Sequence, residues 1–357
     1  MKAMHKAYSL WPVLLFSLLI SGCVTRPGTF VPRKGDEIVV AGKYVHTGTP
    51  VVLWTDPGGY DAYRVERHFA PLDQADFETT KEKVKDIKTP ARYSLRKSPL
   101  LTDAEIERVR NGGWDLPTLQ KVVDQFVLHF DVAGTSRTCF KVLHDNRGLS
   151  VHFMLDVDGT LYQTLDLKER AWHATTSNTR SVGIEIANMG AYSPNGNKTL
   201  DEWYKKDQSG HTVMTIPARY GKDPVRTPNF HGKPVRKDPV VGETQGHKVM
   251  QYDYTPQQYE ALAHLTATLC SVFPKIKCDY PRDAEGKLIT HKLPDPELNK
   301  YEGVMGHFHV QTNKTDPGPA LQWDYIIGKA RKLMVHTPEH GAEALLHPVK
   351  AVLIADN

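Results

Sequence analysis

Apolar residues are spaced in three different ways along this chain. Residues 8–20 are almost continuously apolar, a run too short to span a bilayer stably, preceded by Lys2 and Lys6 and followed by Ser21-Gly22-Cys23. Residues 24–40 are rich in Pro, Arg and Gly and read as a tether. The next stretch holds short β-prone pieces, Glu37-Ile-Val-Val-Ala41 and Val51-Val-Leu-Trp54, punctuated by Gly and Pro, and a charged helical stretch is expected near residues 77–88.

From about Leu116 the periodicity sharpens. Phe126-Val-Leu-His129-Phe130 reads as a buried strand carrying a histidine, and residues 136–145 as a short helix turning Cys139, Phe140 and Leu143 inward. Ser150-Val-His-Phe-Met-Leu-Asp156 and Thr160-Leu-Tyr-Gln-Thr-Leu165 flank Asp158-Gly159, a hairpin signal. Ser181-Val-Gly-Ile-Glu185-Ile-Ala187 is a further strand, with one carboxylate among apolar neighbours. Thr255-Pro-Gln-Gln258 is a capping box with proline at the first helical position, and Leu262, Leu265, Leu269 and Val272 mark the stripe behind it. A last helix sets Trp323, Ile326, Ile327, Ala330 and Leu333 on one face. Strands interleaved with helices predict an α/β domain with a central mixed β-sheet flanked by helices, preceded by a β-rich N-terminal extension.

Composition narrows the class. The formal charge is +4, from 45 Lys and Arg against 41 Asp and Glu, and becomes +2 without Lys2 and Lys6, so nucleic acid is not an implied partner. Cysteines 139, 270 and 278 lack Cys-x-x-Cys zinc spacing. Cys139 is expected as a small buried hydrophobe, and Cys270 and Cys278 could pair in an oxidising compartment.

The chemistry concentrates between Gly306 and Gly318, where Gly-His307-Phe-His-Val-Gln-Thr-Asn-Lys314-Thr-Asp316-Pro-Gly places an imidazole, an ammonium and a carboxylate close together. His and Asp are good zinc ligands, while the lysine is better suited to stabilising an oxyanion. The same stretch also reads as an ordinary polar turn, because Asp-Pro-Gly is common turn chemistry.

Five ordered motifs carry a family resemblance: strand-borne His129, Ser-Val-His-Phe with Asp-Gly-Thr, Ala171-Trp172-His173-Ala174, Ser181-Val-Gly-Ile-Glu185, and Gly306-His307 through Lys314-Thr-Asp316-Pro-Gly. Together they are similar to the type 2 zinc N-acetylmuramoyl-L-alanine amidases, relatives of the peptidoglycan recognition proteins, over about residues 120–335. The resemblance implies one Zn2+ held by His129, His307 and Asp316, Glu185 as general base, Lys314 as oxyanion partner, and a peptidoglycan or muropeptide substrate. His152, Trp172 and His173 lie in family motifs and are candidate substrate contacts, with structural roles as the alternative and the core as the preferred place for Trp172. A peptidoglycan-binding protein without catalysis is the competing function, although a pure binder needs neither Glu185 nor Lys314.

The N-terminal run resembles a lipoprotein signal (1–22) ending in a lipobox, which implies lipidation at Cys23. With Val24 rather than Asp next to it, the sorting rule implies an outer-membrane anchor facing the periplasm. Residues 41–115 form an extension of unassigned role, 116–335 the amidase domain, and 336–357 a tail. Within the domain, about 190–250 is a polar insertion in which Lys222-Asp-Pro-Val-Arg226 is echoed by Lys233-Pro-Val-Arg-Lys237-Asp-Pro-Val240. It is expected as a solvated loop, or as a hairpin flanking the cleft that meets stem-peptide carboxylates through arginine. His309 is expected at the surface and His144 as a solvated helix end. Histidines 211, 231 and 247 are not expected to bind metal.

Overall fold

The computed structural model describes residues 32–63 and 93–335. Cys23, the signal, the tether up to residue 31, the stretch 77–88 and the tail 336–357 lie outside the described residues, and the end of the expected tether, Glu37–Val40, is a buried strand instead.

The chain runs through β1 (Glu37–Val40), β2 (Lys43–His46), β3 (Val51–Leu53), β4 (Tyr93–Leu95), α1 (Asp103–Arg110), α2 (Leu116–Val122) and β5 (Gln125–Phe130). There follow α3 (Ser136–Phe140), β6 (Phe153–Leu155), β7 (Leu161–Gln163), β8 (Glu169–Ala171), β9 (Ser181–Ile186) and α4 (Lys198–Trp203). The remaining elements are β10 (Tyr204–Lys206), β11 (Thr212–Met214), β12 (Val240–Thr244), β13 (His247–Gln251), α5 (Pro256–Val272), α6 (Asp295–Leu298), β14 (Gly303–Gly306) and α7 (Trp323–Val335).

Six strands form the central sheet in the order β14-β5-β9-β6-β7-β3. Pairing is parallel except between β6 and β7, the hairpin closed by Asp158-Gly159, so the sheet is mixed as expected. Strand β3 of the N-terminal extension adds to the edge beside β7, which makes part of that extension a component of the main domain.

Period-2 alternation gives the sheet two unlike faces. Phe126, Leu128, Val182, Ile184 and Ile186 share a core with Leu262, Leu265 and Leu269 of α5 and with Ile326 and Ile327 of α7. Each fully buried leucine there contributes about 2 kcal/mol of transfer free energy. Helix α5 starts where the capping box places it: Gln258 N–H donates to Thr255 Oγ1 at 3.2 Å and Thr255 N–H to Gln258 Oε1 at 3.0 Å. The intervening strand residues, including His129 and Glu185, face the other side.

Two local expectations need correcting. Helix α3 ends at Phe140 and widens into a π turn over Lys141–Asn146, which folds His144 under the helix. His144 is therefore buried, its ring stacked on Phe140 at 4.7 Å, because the wider turn rotates it off the solvent side. His309 is fully buried as well: the chain leaves β14 in a 3-10 turn over His307–His309, so strand alternation no longer applies. Its Nδ1 accepts from Gly306 N–H at 2.9 Å and its Nε2 donates to Ile289 O at 2.6 Å.

Candidate metal centre and active site

Register brings the proposed ligands together. Strands β5 and β9 pair with His129 opposite Glu185, and β14 pairs with β5 so that Gly306 lies opposite Leu128. The next residue, His307, thus falls beside His129. Asp316 returns to the same place because its loop lies directly on the end of β14, where a Cβ on Gly306 would stand 2.6 Å from Pro317 Cδ.

The three donor atoms form a nearly equilateral set: His129 Nδ1 to His307 Nδ1, His129 Nδ1 to Asp316 Oδ2, and His307 Nδ1 to Asp316 Oδ2 are each 2.9 Å. All three residues are buried. Burial, reinforced by His307, lowers His129 to about 4, against its bond with Asp316, leaving a neutral imidazole with a free lone pair. Burial opposes ionisation of Asp316, yet His307 and the bonds to both imidazoles hold it well below the ordinary carboxylate range. Two imidazole nitrogens and one carboxylate suit a divalent zinc ion and leave a fourth tetrahedral position open. Tetrahedral donors at zinc distances stand about 3.3 Å apart, so the trio fits after opening by a few tenths of an ångström.

Beside the trio is a cleft of about 700 Å³ whose wall includes Glu185 and Lys314. Burial, followed by the charges of Asp316 and Asp131, raises the half-buried Glu185 carboxyl well above its ordinary value. A raised pKa makes the ionised carboxylate a stronger proton acceptor, which suits it to general-base work. Cys139 also borders the cleft, but burial pushes its thiol up, so it behaves as the expected small hydrophobe and not as a nucleophile. Cys270 and Cys278 are free thiols.

The three candidate substrate contacts separate. Trp172 is half-buried and lines the cleft instead of closing the core, with the Arg170 guanidinium 5.0 Å from its ring centroid. His173 also lines the cleft, and its Nδ1 lies 3.0 Å from His129 Nε2. His152 does not reach the cavity. It is fully buried, accepting from Gly183 N–H at 3.1 Å through Nδ1 and donating from Nε2 to Glu169 O at 2.9 Å. Burial, then the charge of Arg96, lowers it to about 3.

Arg96 is a residue that sequence reasoning missed. It is fully buried and donates to Leu167 O, Thr179 O and Ser181 O at 3.0, 2.7 and 2.9 Å, tying the chain ahead of α1 to the strands that carry the site. Burial pulls it down to about 9. An isolated arginine in an unassigned segment gives no sequence signal of this role.

The insertion is neither a solvated loop nor part of the cleft wall. Helix α4 and strands β10 and β11 enclose a second core of Trp203, Tyr204, Leu200 and Met214 against Val157, Ala187 and Met189 of the main domain. Polar composition concealed these aromatics. Arg219 and Arg236 are engaged by Glu202 and Asp253, and no residue from 190–250 lines the cleft. The cleft draws guanidinium groups from Arg147 and Arg170 instead.

The β12–β13 hairpin has a different task. Gln245 at its turn donates to Phe308 O at 2.7 Å and Gln311 O at 2.8 Å, and Gln251 at its end donates to Pro317 O at 3.1 Å while accepting from Ala320 N–H at 2.9 Å. Both side chains brace the loop that carries His307, Lys314 and Asp316. Glutamines in a polar stretch look solvated in sequence, and only tertiary contact reveals them as supports.

A profile of the family described as N-acetylmuramoyl-L-alanine amidase matches residues 119–319. Solved structures with similarity include the selenomethionine derivative of AmpD, at 15% identity over 68% of this chain and 92% of that one, with a TM-score of 0.31. The endolysin N-acetylmuramoyl-L-alanine amidase LysCS from Clostridium intestinale matches at 16% identity over 60% and 86%, TM-score 0.31. AmiD from E. coli, solved with anhydro-N-acetylmuramic acid-L-Ala-D-gamma-Glu-L-Lys, matches at 16% identity over 58% and 57%, TM-score 0.32. No curated protein sequence matches the chain.

Proposed function

The chain belongs to the N-acetylmuramoyl-L-alanine amidase family, and from that premise we propose that it hydrolyses the amide joining the lactyl group of N-acetylmuramic acid to L-alanine with a single bound zinc. The observation that carries this reading is the convergence of His129 Nδ1, His307 Nδ1 and Asp316 Oδ2 at 2.9 Å beside Glu185 and Lys314 on one cleft. Zinc bound by these three residues would supply a Lewis acid and lower the pKa of attacking water. Glu185 takes the proton of the attacking water and passes it to the leaving alanine nitrogen, a transfer favoured by its raised pKa. Lys314 donates to the oxygen of the scissile carbonyl as negative charge develops there. Arg170 and Trp172, stacked on the cleft wall, offer a flat cationic surface to the substrate.

The role belongs to cell-wall turnover or recycling, from a lipid anchor at Cys23 in the outer membrane. Membrane fractionation of the full chain against Cys23→Ser tests the anchor. Incubating muropeptides with the detergent-solubilised full chain, with and without chelator, and with Glu185→Ala, tests the chemistry. Free stem peptide beginning with L-Ala is expected from the zinc-loaded wild type and should disappear in both controls. Intact muropeptides from zinc-loaded wild type would refute the assignment in favour of binding without catalysis.

A further inference from the structure

His129 must present a bare Nδ1 to the donor trio, which requires its proton to reside on Nε2. In an unconstrained imidazole the two neutral tautomers are close in energy, and the wrong one aims an N–H into the metal position. His307 has an obvious anchor, since its Nε2 lies 2.7 Å from the Gln311 side-chain oxygen. The group facing Nε2 of His129 is another imidazole, His173 Nδ1, at 3.0 Å.

We propose that His173 is a positioning residue that holds the tautomer of His129, accepting its Nε2–H and handing its own Nε2–H to Ser181 Oγ. The second link measures 3.2 Å. Its direction is fixed by the first: once His173 Nδ1 accepts, its proton sits on Nε2, and Ser181 Oγ is the acceptor within reach.

The strand beneath is cut to fit this ring. A Cβ on Gly183 would lie 2.5 Å from both Cε1 and Nδ1 of His173 and 2.7 Å from its Nε2. Glycine at the centre of a strand weakens it, so its presence here marks a close approach. The glycine of Ser-Val-Gly-Ile-Glu is thus the socket for the ring of Ala-Trp-His-Ala, and two motifs some ten residues apart in the chain serve one hydrogen bond. A neutral imidazole in this place, where carboxylates are common partners of metal-bound histidines, also avoids adding a further negative charge beside Asp316 and Glu185.

This inference rests on the zinc reading, and the test separates the two. Zinc affinity of the full chain is measured by competition with a chromophoric chelator for wild type, His173→Ala, His173→Asn and Gly183→Ala, with the melting temperature of each zinc-free protein as the folding control. Asn places a side-chain oxygen near the position of Nδ1 and can accept the same bond. Wild type is expected to bind one zinc, His173→Ala and Gly183→Ala to bind about 10- to 100-fold more weakly, and His173→Asn to stay within about threefold of wild type. Long-range ¹H–¹⁵N spectra of ¹⁵N-histidine-labelled zinc-free protein should show His129 as the Nε2–H tautomer in wild type and as a mixture in His173→Ala. Unchanged zinc affinity in His173→Ala, or an unchanged His129 tautomer, overturns the relay and leaves the zinc reading standing. A wild type that binds no zinc overturns both.

Discussion

Gln251 and Gly318 should be energetically coupled, and a double-mutant cycle can measure by how much. Gln251 is fully buried; its amide donates to Asn188 Oδ1, Tyr254 OH and Pro317 O at 3.2, 3.3 and 3.1 Å and accepts from Ala320 N–H at 2.9 Å. At roughly 1 kcal/mol net for each bond, Gln251→Ala should cost about 3–4 kcal/mol. Gly318 has φ +81°, and a Cβ there would lie 2.2 Å from Gln251 Oε1. Gly318→Ala therefore carries two costs: about 1–2 kcal/mol for a left-handed alanine, and a further ~1–2 kcal/mol for displacing the glutamine from its partners. In the Gln251→Ala background the second cost vanishes, so the double variant should be about 1–2 kcal/mol more stable than the sum of the singles predicts. Urea unfolding of zinc-free protein, read as a change in midpoint at constant slope, is the assay. Additivity within about 0.5 kcal/mol would refute the claim that these residues share the brace under Asp316.

Glu185→Gln should lower kcat by about 10²- to 10⁴-fold with the fold intact. Because the Glu185 pKa is raised, the ionised base is lost as pH falls through a value above the ordinary 4.5, so the acid limb of kcat/KM should lie above that pH and vanish in the Gln variant. An acid limb that persists unchanged assigns the base elsewhere. Lys314→Met should reduce kcat by about 10²- to 10³-fold with little change in KM, and steady-state kinetics showing only a KM effect would remove the oxyanion role. Trp203→Ala, in the fully buried core of the insertion, should cost about 3–5 kcal/mol, and deleting 195–245 should abolish folding. Circular dichroism showing a native, cooperative melt for the deletion would mean that the insertion is dispensable packing.

Local chemistry was enough to read much of this protein. The Asp158-Gly159 turn, the Thr255/Gln258 capping box and the Leu262-Leu265-Leu269 stripe each act over a few residues, so the hairpin and helix α5 could be placed from sequence. The family resemblance carried by the order of the motifs likewise pointed to His129, His307, Asp316, Glu185 and Lys314 as the candidate site residues. What sequence could not carry was whatever depends on partners distant along the chain. His144 and His309 looked solvated until a π turn and a 3-10 turn rotated them inward. The insertion looked solvated because Trp203 and Tyr204 find their apolar partners, Val157 and Met189, only across the fold. Strand register alone decides that His129 stands beside Glu185, and a shift of one residue would turn one of them to the opposite face. The sequence by itself determined which chemical groups were present and which local elements hold them. Tertiary structure decided their 2.9 Å convergence and the supports provided by Gln251, Arg96 and His173, since those contacts join segments that share no local pattern.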